Sequence, residues 1–136
     1  MKQRYKVLIV ENREEALGTF NKLLEGEGYQ VENAQTAAEA FEKIQNDKFH
    51  IALINTVMAD MDGLALLKKI KNYDPLTQVI MMSEGPSMDA ILSALEYGAN
   101  DYIYKPLNNQ DYIIQVMNVS AQKLERWRHA IQQIVT

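Results

Sequence analysis

The chain has 136 residues, 47% of them hydrophobic, with a formal net charge of −4 and no cysteine. That length and apolar content suit a single domain with a proper core and exclude a disordered chain. The charge gives no reason to expect nucleic acid or an anionic membrane as partner. Without cysteine there is neither a disulfide scaffold nor a cysteine-held zinc, a pattern that fits a cytoplasmic protein.

Short apolar runs alternate with helical periods along the chain. Val7-Leu8-Ile9-Val10 reads as a buried strand. Residues 14–25 follow as a helix with Ala16, Leu17, Phe20, Leu23 and Leu24 on one stripe, stopped by Gly26 and Gly28. Residues 29–34 read as a second strand. Thr36 with Glu39 three residues on forms a capping box for a helix from Ala37 to about Gln45, which turns Ala40, Phe41 and Ile44 inward. Ile51-Ala52-Leu53-Ile54 is a third strand, ending at Asn55. A helix over 64–70 stops before Pro75. Val79-Ile80-Met81-Met82 is a fourth strand. Ser87 caps a helix over 88–97 that Gly98 closes. A short strand covers 101–104, and the last helix runs from about Gln110 almost to the end. No apolar run approaches the ~20 residues that a membrane span needs, and the N-terminus enters its strand without a signal-peptide core.

Strands that are apolar throughout are covered on both faces. Five strands alternating with five helices, with such runs among them, imply a parallel sheet with helices on each side, the doubly wound α/β architecture. In such sheets the functional crevice lies beyond the carboxyl ends of the strands. The residues there are Glu11 and Asn12, Asn55, Ser83 and Glu84, and Lys105. Residues 11–16 contain no glycine, so neither a phosphate loop nor a dinucleotide turn follows the first strand. His50 and His129 lack ligand-like spacing and read as structural or surface residues. The Asp60-Met61-Asp62 pair of acids reads as a helix-opening cap rather than a metal site.

These strand ends resemble the receiver domain of bacterial response regulators. The segment Ile54-Asn55-Thr56-Val57-Met58-Ala59-Asp60-Met61-Asp62-Gly63-Leu64 is similar to the region around the family's phosphoacceptor. Val7 to Asn12 resembles the first strand with its acidic pair, and Met81-Met82-Ser83 the strand that ends in the switch hydroxyl. Gly98 to Pro106 resembles the closing signature, with Tyr102 as switch aromatic and Lys105 before proline. The likeness covers about residues 5 to 122 and implies a flavodoxin-like sheet in the order 2-1-3-4-5. It divides the chain into a receiver domain over 1–122 and a helical extension over 123–136.

The departures concern chemistry. Receivers hold Mg²⁺ with two acids after the first strand and with the acceptor aspartate. Here the pair is Glu11-Asn12 and the acceptor position is Asn55; the loop proline is Ala59, and Glu84 replaces a small residue. An acyl phosphate requires a carboxylate nucleophile, which a carboxamide cannot replace. Phosphoryl transfer also relies on a metal to neutralise charge, and Mg²⁺ prefers carboxylates, so binding is expected to be weak or absent. Lys105 is expected to pair with Glu11 or to donate to Asn55, supplying the charge a metal would bring.

The resulting expectation is a degenerate receiver: no enzyme, no cofactor, and signalling through protein partners such as a histidine kinase, an output domain or another regulator. By resemblance, its working surface is the fourth helix, fifth strand and fifth helix, with Met88, Ile91, Leu95 and Tyr104. In the last helix Ile113, Met117, Ser120, Leu124, Trp127, Ile131 and Ile134 step alternately by four and three, a heptad seam. Leu124, Trp127 and Ile131 are therefore expected to pair with a second copy of the chain or to lead into a further module. Two alternatives remain open. One is residual phosphorylation on Glu11 or on Asn55 deamidated to aspartate. The other is a small-ligand or flavin carrier on the same fold.

Overall fold

The computed structural model describes residues 4–58, 60–85, 87–105 and 110–135, with only the backbone of Lys105. The elements in chain order are β1 (Lys6–Val10), α1 (Glu14–Gly26), β2 (Gln30–Ala34), α2 (Ala37–Asn46), β3 (Ile51–Asn55), α3 (Gly63–Tyr73), β4 (Gln78–Glu84), α4 (Met88–Glu96), β5 (Asp101–Lys105) and α5 (Gln110–Val135). The strands form one parallel sheet in the order β2-β1-β3-β4-β5. This is the five-stranded flavodoxin-like arrangement with a long last helix.

Strand alternation divides the core in two. Val7, Ile9, Ile51, Leu53, Ile80 and Met82 face α1 and α5, where Phe20, Leu24, Ile113 and Met117 meet them. Leu8, Val10, Ala52, Ile54, Val79 and Met81 face the opposite way, onto Ala40 and Ile44 of α2, Leu66, Leu67 and Ile70 of α3 and Ala94 of α4. Burying each such aliphatic side chain contributes roughly 1.5–3 kcal/mol. That is why every residue of β3 is apolar until the strand reaches the crevice at Asn55.

The helix starts obey their caps. Thr36 Oγ1 accepts the amide of Glu39 at 3.1 Å, Asp62 Oδ1 that of Leu64 at 3.0 Å, and Ser87 Oγ that of Ala90 at 3.1 Å. Some boundaries differ from the sequence reading. Helix α3 begins at Gly63, because Asp62 caps it, and continues to Tyr73. Strand β4 continues through Ser83 and Glu84, because both pair with β5.

Helix α5 is continuous from the sheet into the extension, with no break near residue 122. Its buried residues end at Ala121, and Leu124 still packs against the core. Ser120, the weak point of the heptad seam, faces inward and donates to Gln78 Oε1 at 2.9 Å, both side chains being buried. The polar residue is thus satisfied within the domain rather than offered to a partner helix. Among the described residues no helix is long and apolar enough to cross a membrane.

Candidate functional site

Parallel pairing of β1, β3 and β4 brings Glu11, Asn55 and Ser83 to one end of the sheet. Glu11 lies just past β1, where its amide is held by the Ala34 carbonyl at 3.0 Å. Its side chain has no exposed surface, and Asn55 is 8% exposed. A buried carboxylate needs compensation by hydrogen bonds and opposite charge, and two of the described side chains contribute to it. Asn55 donates through Nδ2 to Glu11 Oε2 at 2.5 Å. Arg13 donates through Nε to Glu11 Oε1 at 2.7 Å. Both carboxylate oxygens are therefore engaged. The ion pair with Glu11 raises the Arg13 guanidinium above its usual range, chiefly through that hydrogen bond.

Arg13 was not singled out in the sequence, and it contacts both acids of the pocket, Glu11 and Glu84. It occupies the N-cap position of α1 in extended geometry and makes no side-chain cap. Ser, Thr, Asp and Asn are favoured at such a position, and arginine is not. An unsuited residue at a helix start beside a strand-end acid was the available signal. Its second nitrogen, Nη1, lies 3.7 Å from Glu84 Oε1. Glu84 is thereby linked across the mouth of the crevice to the loop after β1. Asn12 is exposed on that same loop.

The loop after β3 is fixed from three sides. Asn55 Oδ1 accepts the amide of Val57 at 3.3 Å. Gly63 donates its amide to the Thr56 carbonyl at 2.9 Å, and a Cβ at this position would lie 2.6 Å from Thr56 Cα. Only glycine permits that approach. The two acids of the loop divide their work. Asp62 caps α3, whereas Asp60 accepts the amides of Ala37 and Ala38 at 2.9 and 3.0 Å, at the start of α2. Those two amides hold the Asp60 carboxyl below the ordinary carboxylate range.

On the far side, Ser83 Oγ and the Tyr102 hydroxyl are 2.6 Å apart. Tyr102 packs against the second core cluster and is half-buried. The expected contacts of Lys105 with Glu11 or Asn55, and the residues Ala59 and Pro106, lie outside the described side chains.

The surface residues separate as follows. Met88 and Leu95 of α4 and Tyr104 of β5 are exposed, as is Leu92, which the sequence reading had not included. Ile91 is half-buried. On α5, Trp127 and Ile131 are exposed, while Leu124 is partly buried against the core. His50 accepts the Lys6 amide at Nδ1, 3.1 Å away, and meets Tyr5 edge to face. His129 is exposed.

The sequence profile described as the response regulator receiver domain matches residues 7–118. The chain is 35% identical over 106 residues to the transcriptional regulatory protein ZraR of Klebsiella oxytoca, an alignment spanning 78% of this chain and 24% of that protein. It is 31% identical over 111 residues to the CpxR homolog of Haemophilus influenzae, spanning 82% of this chain and 48% of that protein. This chain thus aligns with about a quarter and about half of these two relatives. A response regulator receiver domain protein (CheY-like) from Methanospirillum hungatei JF-1 superposes with a TM-score of 0.82 at 33% identity, covering 90% of this chain and 98% of that one. With the sheet order, the strand-end residues and these likenesses in agreement, the chain belongs to the response regulator receiver domain family.

Proposed function

We propose that this receiver signals without phosphotransfer, as a protein-binding module whose acidic pocket is closed by its own side chains. One observation carries the reading: the buried Glu11 carboxylate is shared between the Asn55 amide at 2.5 Å and the Arg13 guanidinium at 2.7 Å. Asn55 stands where the family's acceptor would be, and a carboxamide cannot form an acyl phosphate. Glu11 could in principle replace it as nucleophile, but it has no exposed surface and both its oxygens are engaged.

The donor set does not fit Mg²⁺ either. At the three positions where receivers hold the ion with acids, the chain offers one carboxylate, Glu11, and two neutral amides, Asn12 and Asn55. The carboxylate is already neutralised by Arg13. A hard dication would have to displace the guanidinium before it gained a single charged ligand. Arg13 thus supplies in place the positive charge that a metal would bring. It also draws Glu84 toward itself, which adds a negative charge at the mouth of the crevice against an incoming phosphate.

In this reading the output is protein binding. The exposed apolar side chains of Met88, Leu92 and Leu95 on α4, Tyr104 on β5, and Tyr112 and Val119 on α5 supply a surface for a kinase, an output domain or another regulator. The protein acts as no enzyme. The test is incubation with a small acyl-phosphate donor and Mg²⁺, followed by intact mass. The expected spectrum shows the unmodified chain alone. A product heavier by one phosphoryl group, lost on substitution of Glu11 or Asn55, would overturn the proposal.

A further inference from the structure

At the opposite end of the sheet from the pocket, a groove of about 810 Å³ runs along the extension of α5. Leu124, Trp127 and Ile131 form one wall, and Leu76 stands on the other. Trp127 is 69% exposed, Ile131 57% and Leu76 75%. Apolar side chains this exposed, gathered in one concave strip, mark a binding surface. The strip is held rigid at its root. Tyr5, Arg4 and Glu125 join the N-terminal segment to α5, with Arg4 Nη1 3.1 Å from the Glu125 carboxylate.

The charge around the strip differs from that of the chain. The whole chain carries −4, yet its last fourteen residues hold three cations, Lys123, Arg126 and Arg128, against one acid, Glu125. Lys48 and Arg128 line the groove itself. Lys48 already pairs with Asp74 at 2.8 Å. None of Lys123, Arg126 or Arg128 makes an ion pair among the described residues.

The seam spacing decides against a second copy as occupant. With Leu124, Trp127, Ile131 and Ile134 at the core positions of a heptad, the flanking positions include Lys123 and Arg128. A parallel pair of these helices sets Lys123 of one against Arg128 of the other. An antiparallel pair sets each against its own kind. Flanking charges choose the partner and orientation of paired helices, and like charges in register act against self-pairing.

We infer that this groove binds an amphipathic helix of a partner protein, with apolar residues at its heptad core and acidic residues on its flanks. Its apolar ridge would fill the strip between Trp127 and Leu76. Its carboxylates would meet Arg128 on the α5 wall and Lys48 on the opposite wall. Such a partner is attracted both by the apolar area and by the local positive charge, which also steers its approach.

The test uses the chain's only tryptophan, Trp127, as reporter. Two synthetic helical peptides are titrated at low and moderate salt, each with leucine at the core heptad positions. One carries glutamate on its flanks and the other lysine. The glutamate peptide should shift Trp127 emission to the blue with saturation, more weakly at higher salt, while the lysine peptide should not. The exposed-site variant R128E should keep the fold by circular dichroism and bind the glutamate peptide about tenfold more weakly or worse. Equal binding of both peptides, unchanged binding by R128E, or a chain that dimerises through Trp127 without responding to the glutamate peptide would each overturn the inference.

Discussion

Glu11 carries a carboxylate with no exposed surface, so the state of the pocket depends on whatever neutralises it. Arg13 is half exposed, and the pair it makes is therefore weaker than a fully buried one but stronger than a surface bridge. Arg13→Ala should cost about 1–2 kcal/mol in urea unfolding, because the buried carboxylate loses the guanidinium that engages its Oε1. Adding Glu11→Gln to that variant should recover part of the loss, since no charge is then left inside. Strict additivity of the two changes would argue against the pairing. Gly63→Ala should lose roughly 1–3 kcal/mol, because the new methyl meets the Thr56 backbone, which cannot yield as a side chain would. At this scale the sequence displayed Asn55, Ser83 and Tyr102 through the strands that carry them. It did not display Arg13's role, because adjacency alone does not say that a side chain two positions from Glu11 turns back to it rather than out to solvent. Nor did it show that Asp60 serves α2 rather than its own helix, a contact between residues 23 positions apart.

The elements were the most legible level, since β1, β3 and β4 carry continuous apolar runs and α2, α3 and α4 carry side-chain caps. Differences of one to a few residues arose where a tertiary partner extended an element, as Ser83 and Glu84 extend β4 against β5. Ser120 looked like a flaw in a heptad and proved to be a buried bond to Gln78; spacing alone cannot tell which neighbour a helix face meets. His50 shows how an element junction sets pH response. Burial, with help from Lys48, lowers its pKa from 6.5, and its Nδ1 must be deprotonated to accept the Lys6 amide. The unfolded chain therefore takes up a proton first as pH falls. The stability from this residue is whole above pH 6.5 and lost as pH drops through the lowered folded value. Urea midpoints measured from about pH 7 down to about pH 5 should decline for the parent chain and decline less for His50→Asn.

At the scale of the whole molecule, the sheet order could be anticipated because parallel strands joined by right-handed crossovers admit few arrangements. The crevice at the strand ends followed from the same rule. In the proposed reading the receiver fold is kept around a pocket whose buried carboxylate is engaged by Asn55 and Arg13. Any ligand that bound the folded state alone would stabilise it by mass action; on the proposed reading a metal–phosphate pair gives no such stabilisation. The most direct measurement is an amide chemical-shift titration of the labelled chain with Mg²⁺ and beryllofluoride, a mimic of the acyl phosphate. The closed pocket predicts no saturable shift at Glu11, Asn55, Thr56 or Ser83. A saturable shift centred on Asn55 and carried to Ser83 and Tyr102 would contradict it.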